Sequence, residues 1–452
     1  MTSRRSTWCL TAIVVLALAA AVGAQQPGPP PGQAPGAPGA PGAQAPGRAM
    51  MMQQMGPASP EILPDNRVTF NLMAPNATEV LLNGDWPGGM RQAMTKDDKG
   101  VWSITVGPLT PELWGYTFSV NGVRTLDPRN GNTKRDGTRI DNILLISGPE
   151  SELYEVKDVP HGNVSMVWYD SPSLKLKRRM YVYTPPDYAT STVKYPVFYL
   201  LHGGGGDEDA WFTLGRTSQI MDNLIAAGRA KPMIVVMTNG NSWQKMAPGS
   251  GPVPGQVAPQ MGGRAAAAAP APGVAPGAPP AVAPAPGAAP AAPGAQPGRG
   301  AAPAMSPEMA AMMAAFPESL VKDVIPYIEK HYRALPGKDN RAIAGLSMGG
   351  MHTVSATNGH PGTFGYVGVW SAGTRQNDEA AIKQFQAVRN AGVKLYHVGC
   401  GLDDKMALTG SQTLVEILKK VDMKYVFRES PGGHTWFNWR IYLKEFAPML
   451  FR

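Results

Sequence analysis

Apolar and polar positions change their rhythm near residue 160. Between Asn66 and Ser147 they come in short, nearly alternating runs: Val68–Leu72, Glu79–Asn83, Val101–Val106 and Tyr116–Val120. Turn signals such as Asn83-Gly84, Lys99-Gly100 and Asn121-Gly122 separate these runs. A period of two, broken regularly by turns, predicts an all-β sandwich. From Val164 onward strands alternate with helical stretches. Ser165–Trp168 and Arg179–Thr184 predict an antiparallel lead-in, and Tyr195–Leu201 and Met233–Met237 are continuous apolar runs suited to buried strands. Phe316–Tyr332 carries Leu320, Val324, Ile325 and Ile328 on one helical face. Strands joined by helical crossovers imply an α/β domain, a mostly parallel sheet covered on both faces.

Composition divides the chain further. Residues 1–24 pair Arg4 and Arg5 with an apolar stretch from Trp8 to Val22 and end Val22-Gly23-Ala24, the pattern of a cleavable secretory signal. That stretch is short for a membrane anchor. Export predicts a secreted or periplasmic protein with no membrane attachment once the signal is removed. Residues 25–57 are rich in Pro, Gly, Ala and Gln and read as a disordered linker. A similar Ala/Pro/Gly tract at about 247–304 reads as a disordered insertion within the second domain. The expected boundaries are 58–150 for the sandwich and 160–452 for the α/β domain. Only Cys9 and Cys400 occur in the chain. Removal of the signal leaves one thiol and no internal disulfide, so packing must hold the fold. The net charge of +8 is spread thinly, which argues against nucleic acid as a partner.

The strongest chemical signal is Gly345-Leu-Ser-Met-Gly349, which follows the short apolar run Arg341–Gly345 and precedes a stretch able to start a helix. A serine hydroxyl attacks well only when a tight strand–helix turn holds it beside a base, and the flanking glycines let strand and helix approach. Ser347 is therefore the candidate nucleophile. Acyl transfer also needs a base, an acid that orients it, and donors for the oxyanion. Of the downstream histidines, His352 falls in the helix after the nucleophile and His397 within a strand. His434, in the loop Pro431-Gly-Gly-His-Thr-Trp436, has the freedom a base requires. The acid belongs on Gly399-Cys-Gly-Leu-Asp-Asp404, where Asp403 and Asp404 are both available and spacing does not separate them. Oxyanion donors are the amide of Met348 and one from the glycine run His202–Gly206, assigned to Gly204, although Gly203 or Gly205 would serve the same role. No H-E-x-x-H or C-x-x-C motif is present, so neither a metal nor any other cofactor is expected.

Two resemblances sharpen this reading. Asn83-Gly-Asp-Trp86, Gly100-Val-Trp102, Gly115–Gly122 and Asp127-Pro128 resemble the early-set, immunoglobulin-like sandwich of family 48 carbohydrate-binding modules. Trp86, Trp102, Trp114 and Tyr116 could then stack on sugar rings, although alternation makes core packing the safer role for Trp102 and Tyr116. Leu201-His-Gly-Gly-Gly-Gly-Asp-Glu-Asp-Ala-Trp211, Arg341–Gly350, Gly399–Asp404 and Pro431–Trp439 resemble the esterase branch of the α/β-hydrolases. That branch holds feruloyl and acetylxylan esterases, enterochelin esterase and S-formylglutathione hydrolase. The resemblance implies an α/β-hydrolase fold and a serine esterase with no cofactor. It favours Asp404 as the acid, and Trp211 and Trp436 as substrate contacts. The Ala/Pro tract is the departure, because relatives have a short connection there.

Together these features predict a secreted esterase acting on feruloyl or acetyl groups of plant polysaccharide, with a small ester as the simplest substrate. A siderophore trilactone is the alternative, disfavoured by export. A sugar-binding protein with a decayed site is less favoured, because every catalytic element is present and in order. The sandwich is expected either to bind polysaccharide weakly or to complete the acyl pocket.

Overall fold

A computed structural model describes residues 56–247, 307–374 and 376–452. The predicted signal, the linker up to Met55 and the Ala/Pro/Gly tract from Pro248 onward lie outside these residues. The described residues belong to one compact unit.

The first part is the predicted sandwich. Its strands are β1 (Glu61–Ile62), β2 (Val68–Met73), β3 (Val80–Gly84), β4 (Gln92–Ala93), β5 (Thr95–Lys96), β6 (Val101–Val106), β7 (Leu113–Val120), β8 (Val123–Thr125), β9 (Thr133–Asp136) and β10 (Arg139–Leu145). One sheet runs β1-β2-β6-β5 and the other β4-β3-β7-β10-β9, with β8 beside β7. Val68, Phe70, Leu82, Tyr116 and Phe118 alternate inward to fill the space between them. Strand β7 starts three residues before the expected Tyr116. Gly115 interrupts the apolar pattern, but Leu113 to Tyr116 pair in register with β10.

The second part is the α/β-hydrolase fold. Strands β11 (Asn163–Ser171), β12 (Leu176–Thr184), β13 (Val197–Leu201), β14 (Ile234–Thr238), β15 (Arg341–Leu346), β16 (Tyr366–Trp370), β17 (Leu395–Gly401) and β18 (Tyr425–Ser430) form one sheet. Its order is β11-β12-β14-β13-β15-β16-β17-β18. The β11–β12 and β12–β14 pairs are antiparallel and the others parallel, as the lead-in predicted. Strand β13 begins at Val197, not Tyr195, because Pro196 has no N–H for the ladder.

The helices are α1 (Ala210–Thr213), α2 (Thr217–Ala226), α3 (Pro307–Ser319), α4 (Ile325–His331), α5 (Met348–Gly359), α6 (Glu379–Asn390), α7 (Leu408–Lys420) and α8 (Trp436–Phe446). The single helix expected over 316–332 is split by a π-helical turn, Leu320–Val324, just before Pro326. Proline cannot donate the next hydrogen bond, so the ladder loosens there. The apolar stripe survives, and Leu320, Val324, Ile325 and Ile328 are all buried. Alternation along β13 sends Val197, Tyr199 and Leu201 into the core beneath α3 to α7. Phe198 and Leu200 go to the opposite core, with α1, α2 and α8.

That second core takes in Leu113 of the sandwich, so the two parts share packed apolar surface. A buried ion pair crosses the same boundary. Arg440 Nε donates to Glu112 Oε1 at 3.0 Å, while its Nη atoms donate to the carbonyls of Leu214 at 2.7 Å and Leu113 at 3.1 Å. Removing one partner strands the other charge away from water. Arg440→Ala should therefore lower the unfolding free energy by about 3–5 kcal/mol. Combining it with Glu112→Leu should restore part of that loss. Denaturant titration of both variants checks this, and a double variant weaker than the single one would refute it.

Candidate active site

The turn between β15 and α5 holds Ser347 at φ 51° and ψ −117°, a conformation L-residues seldom adopt. Its N–H donates to the Trp370 carbonyl at 2.8 Å. The two flanking glycines are required by space. A Cβ at Gly345 would lie 2.3 Å from the backbone of Gly349, and one at Gly349 would lie 2.5 Å from the His202 carbonyl. Met348 opens α5, so its N–H has no acceptor one turn back within the helix.

His434 Nδ1 lies 2.8 Å from Asp404 Oδ2. The other oxygen of Asp404 accepts from the amides of Met406 and Ala407, each at 3.1 Å. Burial pushes the Asp404 carboxyl up, but the hydrogen bond and charge of His434, with further bonds from Ser371 and Ala407, outweigh it. The net effect holds Asp404 below the ordinary carboxylate range. Asp403 is exposed on the same loop. The structure thus separates two aspartates that spacing left equivalent. The other downstream histidines are far from suited to a base. His352 and His397 are fully buried, and burial pushes them down to about 3 and about 4. His360 pairs with Glu318 at 2.6 Å.

The glycine run reaches the same place. Gly203, Gly204 and Gly206 line a cavity of about 590 Å³ together with Ser347 and His434. His202 beneath them is neutral in a set tautomer: Nδ1 donates to the Gly203 carbonyl at 2.7 Å and Nε2 accepts from the Gly240 amide at 2.7 Å. Burial pushes its pKa down, which keeps it so.

Trp436 lines the cavity. Trp211 does not, which corrects the expectation for that residue. It is buried in the core with its indole N–H on the Leu201 carbonyl at 2.9 Å, and it buttresses Trp436 edge-on at 5.2 Å. Phe437 and Trp439 add further apolar wall. Much of the opposite wall is sandwich: Trp86, Leu113, Trp114, Lys134 and Asp136 face the same space as Ser347. The module therefore completes the pocket; Trp86 and Trp114 are among the aromatics the sequence offered for stacking, whereas no local sequence signal marks Leu113, Lys134 or Asp136. Trp86 stacks on Phe70 and meets Trp114 edge-on, so it is held from within the sandwich. Trp102 and Tyr116 are core residues, with Trp102 Nε1 on the Ala74 carbonyl and the Tyr116 hydroxyl on Asp127.

Among the described residues no cluster of His, Cys, Asp and Glu could hold a metal ion, and no helix is long and apolar enough to cross a membrane.

Comparison with known proteins agrees with this geometry. Residues 171–256 and 286–450 match the family described as "Putative esterase". The chain belongs to this esterase family. Residues 54–135 match carbohydrate-binding module 48, the isoamylase N-terminal domain. The chain is 30% identical over 410 residues to an endo-1,4-beta-xylanase/feruloyl esterase of Xylanibacter ruminicola. That alignment covers 89% of this chain but only 47% of the relative, so the chain spans about half its length. A 46-residue stretch is 50% identical to the 1,4-alpha-glucan-branching enzyme of Yarrowia lipolytica, covering 10% of this chain and 7% of that protein. The enterobactin esterase of Shigella flexneri has the same fold, with a TM-score of 0.56 at 16% identity, covering 89% of this chain and 97% of that one.

The lowered Asp404 carboxyl sets the sign of a pH effect. Such a group stabilises the fold fully above its unfolded value, about 3.9, and that contribution is lost as pH falls through the folded value. The stability gap between wild type and Asp404→Asn should narrow on acidification below about pH 4. Thermal melting across pH measures it, and a widening gap would contradict the assignment.

Proposed function

We infer that this esterase hydrolyses carboxylic esters through an acyl-enzyme on Ser347. His434 takes the hydroxyl proton as Ser347 attacks the carbonyl, and returns it to the leaving alcohol. Asp404 holds the imidazole with Nδ1 protonated, leaving Nε2 as the base. The amides of Met348 and Gly204 receive the oxyanion. Water activated by His434 then releases the acid. The observation that carries this reading is one cavity shared by Ser347, the glycine run and a histidine tied at 2.8 Å to a buried aspartate.

The preferred acyl group is aromatic, a hydroxycinnamoyl such as ferulate on a plant polysaccharide. About 590 Å³ walled by Trp86, Trp114, Trp436 and Phe437 is far more than an acetyl group fills. Planar aromatic walls favour a planar aromatic guest. The xylanase/feruloyl esterase relative and the module 48 match support the polysaccharide. The predicted signal at residues 1–24 supports action outside the cytoplasm, where such polymers are met.

Ser347→Ala should abolish p-nitrophenyl acetate hydrolysis without altering the far-UV spectrum. Asp404→Asn should lower kcat by about 10⁴-fold, and Asp403→Asn should leave it near wild type. Turnover surviving in Ser347→Ala would sink the mechanism.

Methyl ferulate, acetylated xylan and a catecholate trilactone, offered in parallel, test the substrate. Cleavage of the ferulate is expected, and cleavage of the trilactone alone would refute the polysaccharide reading. Trp436→Ala should raise KM for methyl ferulate by roughly tenfold while affecting p-nitrophenyl acetate less.

A further inference from the structure

The glycine run is gripped from two sides. On the hydrolase side His202 Nδ1 holds the Gly203 carbonyl, and Asn241 Nδ2 holds the Gly206 carbonyl at 2.8 Å. On the outer side the partner is the β9–β10 hairpin of the sandwich. Arg135, in β9 one pair before the turn, donates through Nη1 to Asp207 Oδ2 at 2.7 Å and through Nη2 to Asp207 Oδ1 at 2.7 Å. Nη2 also donates to Asp209 Oδ2 at 2.9 Å, and Nη1 to the Gly137 carbonyl at 2.6 Å. Asp207 immediately follows Gly206 and is 2% exposed.

Backbone contact reinforces this clamp. Gly137 has φ +60°, and a Cβ there would lie 2.3 Å from the Gly205 carbonyl. Between the two grips stands Gly204, exposed, with open space where a Cβ would project. It has no side chain of its own to anchor it, and glycine is the residue with most backbone freedom to lose. An oxyanion donor works only if it is already aimed when charge develops. Its aim must therefore come from the flanks, and the outer flank belongs to another module.

We propose that Arg135 is a positioning residue for the esterase reaction: by clamping Asp207 and Asp209 it lets the sandwich hold the glycine loop in register for the oxyanion. A planar guanidinium paired with a carboxylate sets orientation as well as distance, which a lysine cannot reproduce. Neighbouring Lys134 and Asp136 line the cavity, so the same short strand forms pocket wall and loop support. The sandwich then contributes to the chemical step even on esters too small to touch polysaccharide sites. This inference rests on the acyl-enzyme reading above.

The test compares full-length wild type and Arg135→Ala on p-nitrophenyl acetate, well below either melting temperature. Displacing an oxyanion donor by a fraction of an ångström to an ångström predicts a kcat about 10- to 100-fold lower with KM little changed. Inhibition by phenylboronic acid, which forms a tetrahedral adduct on the serine, should weaken by a similar factor. Competitive inhibition by ferulate should hold steady. A purely architectural role would lower the melting temperature and leave kcat and boronate affinity alone, and that result overturns the proposal. If Arg135→Ala lacks a native near-UV spectrum, Arg135→Lys decides in its place. A roughly tenfold fall in kcat supports the proposal, and wild-type kcat overturns it. Wild type inactive on every ester tried would instead overturn the esterase reading itself, and this inference with it.

Discussion

The close approach of helix α5 to the ends of β13 and β15 is the constraint on which the rest of the site depends. Strand and helix meet so tightly that Gly345 and Gly349 leave no room for a Cβ, and the residue between them must take a left-handed backbone. This strain lifts Ser347 clear of its own strand and turns its side chain toward the loops at the carboxyl ends of the sheet. The same turn frees the first amides of α5 beside it. Because the sheet is parallel here, the loops after β13, β17 and β18 all emerge at that edge. The glycine run, Asp404 and His434 therefore converge on one region although more than 200 residues separate the first from the last.

Convergence alone does not make a pocket. The hydrolase fold supplies a floor, and the sandwich supplies much of the opposite wall. Their union combines apolar packing around Leu113 with two sets of charges that are largely removed from water, Glu112–Arg440 and Arg135 with Asp207 and Asp209. Buried ion pairs add little net stability compared with apolar packing, but they penalise misalignment because a displaced partner leaves an uncompensated charge. Such contacts suit a boundary that must hold catalytic groups to within a fraction of an ångström. They also place the carbohydrate-module fold in a different light. Its aromatic residues are mostly committed to its own core, and Trp86 and Trp114 also line the cavity beside Ser347.

The aromatic shell shows where reading residues one at a time stops working. Trp211 and Trp436 both flank catalytic motifs, and nothing in their immediate neighbourhood tells them apart. The fold turns Trp211 into the core, where its N–H is satisfied by a strand carbonyl, and leaves Trp436 on the surface of the cavity. Asp403 and Asp404 differ in the same way. One position along a tight turn decides which carboxylate points inward to meet an imidazole and two amides.

The sequence by itself determined the two-part architecture and the parallel sheet, and it singled out Ser347 and His434 as candidate nucleophile and base, because each has a local cause. Period-two alternation makes a half-buried strand, continuous apolar runs make a fully buried one, and glycines at fixed spacing permit a turn that other residues forbid. The choice between adjacent aspartates, the fate of Trp211 and the joining of sandwich and hydrolase into one pocket were decided only by tertiary structure. These depend on which groups more than a hundred residues apart come to share a dry volume, and hydrogen-bonding and desolvation act on that arrangement, which no stretch of sequence contains.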